Sequence, residues 1–367
     1  MIYLDNAATT FLDPAVLDEM MPYLTELYGN PSSRHQLGFE AKKAIGIARA
    51  RVAQAINAEP SQIIFTSGAT ESNNWLGVNY SVFASNSEHP SIQKNVSSSP
   101  STTDANVLSR MMVNNETGLI NDIKTFVKVT QRTYLHTFPP YLVHTDATQA
   151  FGHMKIDVQD LGVDFLTLSA HKFHGPKGVG ILYIRDRETV KPLLYGGGQE
   201  LGLRSGTENV AAIVGMGKAA ELHNYTESIG KQLNNLKELF ISGLYEIYDS
   251  IDGLSRDDIV TFKDRQSIID DRRYVPNIIP VVFKKMQAEN IVDALDYNGI
   301  CASTGSACHN NDTLNYGYSY SEIGIERKDL NSVVRFSTSV YNTADEIRQT
   351  LITLNDIIRK QVAFTNE

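Results

Sequence analysis

The chain has 367 residues, is 42% apolar and 20% charged, and carries a net charge of −9 at pH 7. That length suits about two or three domains with a large core, and the acidic balance speaks against direct nucleic-acid binding except through a local basic patch. No apolar run is long enough to span a bilayer, Met1-Ile-Tyr-Leu-Asp5 is not a signal peptide, and two cysteines cannot form a disulfide framework, so a cytoplasmic protein with no membrane partner is expected.

In chain order, residues 2–5 read as a short strand followed by the small polar turn Asn6-Ala-Ala-Thr-Thr10. A helix is predicted over 13–28, with Pro14 in its first turn and Gly29-Asn30-Pro31 ending it. The next helix carries Leu37, Ala41, Ala44, Ile45, Ala48 and Val52 at three-four spacing. Residues 62–66 read as a strand, and Ser67-Gly-Ala-Thr-Glu-Ser-Asn73 follows at once. Small residues between a strand and a helix N-terminus suit a phosphate, which meets free N–H groups and a positive dipole end there. An ordinary helix capped by Ser67 or Thr70 fits the same letters.

Residues 81–106 are rich in serine and contain Pro90 and Pro100, so mostly loop is expected, with His89 on a turn within it. Three apolar runs then end in polar residues. Residues 108–113 lead to Asn114 and Asn115, 141–145 to Asp146 and Gln149, and 163–168 to Ser169, His171 and Lys172. Strands alternating with helices imply an α/β fold with a mainly parallel sheet, whose ligands bind beyond the carboxyl ends of the strands. A lysine closing a core strand is costly to bury unless its pKa falls or it is bonded covalently. Lys172 therefore reads either as a lysine that forms a Schiff base with a carbonyl cofactor or as a strand-end charge in solvent. Asp146 would suit a cationic ring nitrogen and Gly68-Ala-Thr70 a phosphate, and together with Lys172 they outline pyridoxal 5′-phosphate, PLP.

Further on, Tyr195-Gly-Gly-Gly-Gln199 and Arg204-Ser-Gly-Thr207 form a glycine-rich loop. Gly215-Met-Gly-Lys-Ala-Ala220 nominally matches a dinucleotide fingerprint, but Val210 to Val214 runs into it without a turn, so a packed helix is expected. An amphipathic helix is predicted over 229–250, and 255–273 reads as a charged, solvated connector. A smaller unit begins at 277–283, with a helix near 287–295 and a strand at 332–337 that carries Arg335. Thr343-Ala-Asp-Glu346 is a capping box for the last helix, lined by Ile347, Leu351, Leu354 and Ile358. Arg335 reads as a bidentate clamp for a substrate carboxylate or as half of a structural ion pair. Cys301 suits a buried small hydrophobe, whereas Cys308, in a polar loop, is a candidate nucleophile. Cys301, Cys308 and His309 match no common zinc spacing, so no metal is expected.

These stretches resemble the cysteine desulfurases of the NifS/IscS-like group, within the class V aminotransferase family of fold-type I PLP enzymes. The resemblance is carried by Tyr3-Leu-Asp-Asn-Ala-Ala-Thr-Thr10, Phe65-Thr-Ser-Gly-Ala-Thr-Glu-Ser72, Val113-Asn-Asn-Glu-Thr-Gly118, His144-Thr-Asp-Ala-Thr-Gln149, Ser169-Ala-His-Lys172, Arg204-Ser-Gly-Thr207, Ser303-Thr-Gly-Ser-Ala-Cys308 and Val334-Arg-Phe-Ser337. It implies a large PLP-binding domain over 13–250 with a mainly parallel mixed sheet. A smaller α+β domain is implied from 1–12 and 251–367, carrying the catalytic-cysteine loop.

The resemblance implies that Lys172 holds PLP and shuttles protons, His89 stacks on its ring, Asp146 pairs with the ring nitrogen and Gln149 touches the phenolic oxygen. Ala69, Thr70, Ser169 and His171 would bind the phosphate, with Thr207 arriving from the partner subunit of a homodimer. Asn115 and Arg335 would hold the carboxylate of L-cysteine. Cys308 would take the sulfur as a persulfide, leaving L-alanine, and pass it to an acceptor protein in iron–sulfur assembly, tRNA thiolation or DNA phosphorothioation. The segment 78–110 is shorter than in the family, and polar residues follow Cys308, so a strand–helix element beside the cofactor is expected to be missing or remodelled. A related PLP lyase or aminotransferase with an incidental Cys308, and a non-catalytic assembly module, are the competing expectations.

Overall fold

A computed structural model describes residues 1–99, 106–134, 141–261, 274–304 and 318–365. After β1 (Ile2–Tyr3) come helices α1 (Pro14–Thr25) and α2 (Gln36–Ala55), strand β2 (Ile63–Thr66) and helix α3 (Ala69–Asn79). Next are β3 (Ser81–Ala84), α4 (Pro90–Gln93), β4 (Asn106–Ser109), α5 (Ile123–Thr133), β5 (Tyr141–Asp146), α6 (Val158–Leu161), β6 (Phe165–Ser169) and β7 (Gly180–Ile184). Two long helices follow, α7 (Val210–Leu222) and α8 (Glu227–Asp249), then β8 (Ile259–Val260), β9 (Ile278–Phe283), α9 (Ala288–Tyr297), β10 (Ile300–Cys301) and β11 (Ser303–Thr304). Helix α10 (Tyr318–Glu322), strand β12 (Val333–Ser337) and helix α11 (Ala344–Thr365) complete the described elements.

The chain divides into two compact units, one made of residues 9–113 and 121–225, the other of 1–8, 114–120 and 226–367. The first holds a sheet of order β2-β7-β6-β5-β4-β3 among the described residues. Strands β3 to β6 pair in parallel, while β7 runs antiparallel to both β6 and β2. Every residue of β2, β6 and β7 is buried, which is why those strands read as near-continuous apolar runs. Trp75 of α3 packs with Phe165 and Leu182 in this unit's core, and its indole N–H donates to Lys191 O at 3.0 Å.

The Gly215–Ala220 stretch lies inside α7, where it is a packing surface and not a nucleotide turn. A Cβ on Gly217 would stand 2.5 Å from Ala48 Cα, so the glycine lets α7 approach α2 backbone to backbone.

In the second unit the described sheet has the antiparallel order β11-β12-β9-β8, and β1 pairs in parallel with β10. Its core joins Phe240 of α8, Phe336 of β12, Val281 of β9 and Leu354 of α11. The expected capping box is present: Glu346 N donates to Thr343 Oγ1 at 3.2 Å, and Thr343 N donates to Glu346 Oε2 at 2.9 Å.

Two local expectations are corrected and one is refined. The described part of the serine-rich stretch is mostly loop, as expected, but Ser81–Ala84 forms a parallel edge strand on β4 and Pro90–Gln93 a short helix. Only one residue of β3, Val82, is fully buried, as suits a four-residue strand at the sheet edge. A strand–helix element is therefore present here in short form. Strand β4 ends at Ser109 and not Val113, although Met112 N still donates to Asp146 O at 2.8 Å. The connector expected over 255–273 contains strand β8, and its remainder, 262–273, lies outside the described residues.

Replacing Gly217 with alanine should overpack the α2–α7 crossing and destabilise the fold by about 1–3 kcal/mol. Urea denaturation would show this as a lower midpoint with an unchanged slope; an unaltered midpoint would mean that the crossing can spread at no cost.

Candidate active site

The first unit gathers polar groups where β5 and β6 end. In the middle of the sheet His144 is fully buried between two hydroxyls, its Nδ1 2.8 Å from Ser109 Oγ and its Nε2 3.1 Å from Thr167 Oγ1. Burial pulls this imidazole down to about 4, against a smaller opposing pull from Asp146. Two residues on, the Asp146 carboxylate is 6% exposed, accepting from Asn73 Nδ2 at 2.8 Å and from Thr148 N at 3.0 Å. Gln149, also 6% exposed, lies in the turn that follows.

Strand β6 delivers Ser169, which is buried, and then a single 3-10 turn, Ala170–Lys172, that leaves Lys172 half-buried. A strap from the start of the unit fixes this turn. Thr10 N and Oγ1 both donate to His171 O, at 2.9 and 3.0 Å, and His174 N donates to Thr10 Oγ1 at 2.8 Å. Immediately after it His174 adopts φ +62°, and a Cβ on Gly175 would stand 2.8 Å from Ala170 Cβ, so the chain leaves the lysine through a tight bend. The His171 imidazole sits 3.1 Å from Thr9 Oγ1 and is lowered to about 4 by burial first and by the charges of Lys172 and Lys177 second. It is neutral at pH 7, and an anion seated beside it would push its pKa back up.

Helix α3 begins beside this turn. Its N-cap, Gly68, makes no side-chain cap bond, so neither Ser67 nor Thr70 closes the helix end and the first-turn N–H groups are offered outward. Gly68 holds φ +153° and ψ 177°, a combination that only glycine takes readily, and a Cβ there would lie 3.7 Å from Ser169 Oγ. Gly180 makes the approach possible, because a Cβ on it would stand 2.7 Å from Gly68 Cα. Ala69 is half-buried and Thr70 exposed at this helix start.

Arg204 of the glycine-rich loop reaches Glu71 in the same turn, with Nε–Oε1 at 2.9 Å. Burial alone would raise the Glu71 carboxyl, but bonds from Arg204 and Ser67 outweigh it and hold it below the usual carboxylate value. Thr207 is exposed and lines, with Ser67 and Glu208, a cavity of about 270 Å³.

His89 is the N-cap of α4, its Nδ1 accepting from Ser91 N at 3.2 Å and lying 2.7 Å from Ser91 Oγ. Asn73, fully buried on α3, donates from Nδ2 both to Asp146 and to Ser91 Oγ, at 2.8 and 2.9 Å. The sequence reading missed Asn73 and Ser91, although an amide one turn inside the expected helix start was a visible signal.

In the second unit Arg335 is 3% exposed; its guanidinium donates to Asp5 Oδ1 at 3.0 Å and to Asn115 O at 2.9 Å. Both readings of Arg335 thus keep a footing, because the Asp5 pair orients the guanidinium. Asn115 is half-buried, and the part it plays toward the arginine is through its carbonyl. Cys301 is half-buried with its thiol raised by burial, and Cys308 lies outside the described residues. Among the described residues no cluster of His, Cys, Asp or Glu could hold a metal ion, and no helix is long and apolar enough to cross a membrane.

The first unit therefore presents an amine at a strand end, a buried carboxylate one strand away and an uncapped helix start next to a serine hydroxyl. Those are the donors that PLP needs for its carbonyl, its ring nitrogen and its phosphate, and the residues present fit that group.

Comparison with known proteins agrees. The family model for class-V aminotransferases matches residues 2–95 and 82–350. Cysteine desulfurase IscS of Clostridium botulinum is 35% identical over 396 residues, covering 98% of this chain and 95% of the relative. A solved NifS-like protein superimposes with a TM-score of 0.82 at 30% identity, covering 97% of this chain and 99% of its own. A structure described as SspA in complex with cysteine gives a TM-score of 0.73 at 27% identity, covering 94% and 100%.

Buried histidines make the fold acid-sensitive. His144 and His153 are each lowered by burial from 6.5 to about 4, so between those values the unfolded chain binds more protons than the folded one. Their contribution to stability is full above about pH 6.5 and is lost as the pH falls toward 4. The melting temperature of the cofactor-free protein should drop steadily across that window; a flat profile would contradict neutral burial of these rings.

Proposed function

Because the chain belongs to the class-V aminotransferase family, whose members depend on PLP, we propose that it is a cysteine desulfurase converting L-cysteine to L-alanine and holding the sulfur on Cys308. The observation that carries the reading is the pairing, on adjacent strands, of a lysine at the end of β6 with a buried carboxylate at the end of β5. Full-length similarity to proteins named cysteine desulfurase supports the substrate, as does the likeness to a relative solved with cysteine.

In this reading Lys172 would bind the cofactor's carbonyl group, Asp146 would pair with the ring nitrogen, His89 would hold the ring and Gln149 the phenolic oxygen. Ala69, Thr70, Ser169 and His171 take the phosphate together with the partner subunit's Thr207, and Asn115 adds a further cofactor contact. When bound, PLP supplies an electron sink for the charge left at the substrate Cα. The Lys172 amine would accept the Cα proton and later return one. Arg335 and Asn115 hold the substrate carboxylate. The Cys308 thiolate attacks the substrate sulfur: the C–S bond breaks, an S–S bond forms, and a proton goes to the carbon that becomes the methyl of alanine. A free thiol of pKa about 8.5 needs only modest local positive charge to act this way near neutrality.

The finer assignments belong to the same proposal. The protein is a cytoplasmic homodimer, a reading supported by Tyr195 at 83% and Leu201 at 52% exposure in the loop that leads to Thr207. Its sulfur goes to an acceptor protein serving iron–sulfur cluster assembly, tRNA thiolation or DNA phosphorothioation.

Purified protein loaded with PLP should show a visible absorption band and release alanine from L-cysteine. Lys172→Ala should lose both the band and the turnover. Cys308→Ser should keep the band and lose desulfuration, and Asp146→Asn should lower kcat by about 10²–10³-fold. Unchanged turnover in Cys308→Ser, or amino transfer to a keto acid in place of alanine release, would refute the assignment. Arg335→Lys should raise KM for L-cysteine about tenfold or more with a smaller effect on kcat, since a point charge cannot reproduce the bidentate fork; an unchanged KM would leave Arg335 only its structural pair with Asp5.

A further inference from the structure

We propose that Asn73 and Ser91 are positioning residues that lock His89 as the neutral Nε2–H tautomer and tie it to Asp146 through one hydrogen-bond chain. The Asp146 carboxylate only accepts, so the Asn73 group that meets its Oδ2 at 2.8 Å must be the amide nitrogen. That nitrogen has a second proton, which goes to Ser91 Oγ at 2.9 Å. Asn73 Oδ1 is buried with no hydrogen-bond partner, so Asp146 and Ser91 alone set the orientation of the amide.

Ser91 Oγ, having accepted from Asn73, is left to donate its own proton, and its neighbour at 2.7 Å is His89 Nδ1. The same ring nitrogen accepts from Ser91 N at 3.2 Å, in the capping bond of α4. Two donors aimed at Nδ1 require its lone pair, which places the ring proton on Nε2. A negative charge at one end of the chain thus fixes the tautomer at the other, through two side chains that carry no charge themselves. A capping role alone would need only the backbone N–H of Ser91; the buried amide and the hydroxyl exceed that need.

The inference deepens the preceding reading, in which His89 lies on the cofactor ring and Asp146 faces the ring nitrogen. A fixed tautomer would present a single donor, Nε2–H, and coupling to Asp146 would hold the acid and the imidazole at a set separation.

The test reads the imidazole directly. In 15N-histidine-labelled, cofactor-free protein, the His89 signals are identified among the nine histidines by their loss in His89→Gln. The wild type should show an unprotonated, pyridine-type Nδ1 and a protonated Nε2. Ser91→Ala should give a mixture of tautomers, and Ser91→Thr, which keeps the hydroxyl, should restore the single form. In the PLP-loaded enzyme Ser91→Ala should lower kcat about tenfold while KM stays within about twofold. Asn73→Leu should disturb the tautomer and also weaken PLP binding about tenfold, because Asp146 loses its buried donor. A protonated Nδ1 in the wild type, or an unmixed Nε2–H form in Ser91→Ala, would overturn the proposal. A wild type that binds no PLP would defeat the functional reading instead, while the tautomer spectra would still decide this one.

Discussion

A carboxylate set deep at the end of a strand constrains everything around it. Asp146 is 6% exposed, and its hydrogen bonds come from an amide side chain and a backbone N–H, neutral donors that solvate the charge without cancelling it. Such an arrangement suits a cationic partner from outside the chain, and the pyridinium nitrogen of PLP is one. The same requirement accounts for the burial of Asn73 inside α3, since the donor must come from a helix that starts against the sheet. It also explains why the helix start is glycine: only a bare backbone at Gly68 and Gly180 brings α3 so close to β6 and β7.

Much of this was legible in the sequence for a definite reason. Strands β2, β6 and β7 are buried on both faces and so announce themselves as unbroken apolar runs, with the polar residues that follow marking the ligand-binding edge. Helices α2 and α11 have clean apolar faces, and α7 could be told from a nucleotide loop because no turn precedes its glycines. Strand β3 was hidden because its apolar run, Val82-Phe-Ala84, is short and the serines and asparagine that follow it read as loop. The Asn73–Ser91 link was invisible for another reason: a pairing between a helix and a turn that are distant in the chain leaves no periodic trace, and only burial of the amide gives it away.

The unit of residues 9–113 and 121–225 supplies the rigid strand ends on which a cofactor needs to be held. In the other unit Arg335 is oriented by Asp5. A sulfur carrier has to take its atom from the substrate and surrender it to another protein, so a thiol in a polar loop suits the work better than one locked in a core.

The central claim is sulfur transfer to one named thiol, and mass analysis of the digested protein tests it most directly. After one turnover with L-cysteine and alkylation, the peptide containing Cys308 should be heavier by a single sulfur atom, in step with the alanine formed, while the Cys301 peptide is unchanged. Alanine production with no added sulfur on Cys308, or the sulfur appearing on Cys301, would contradict the account.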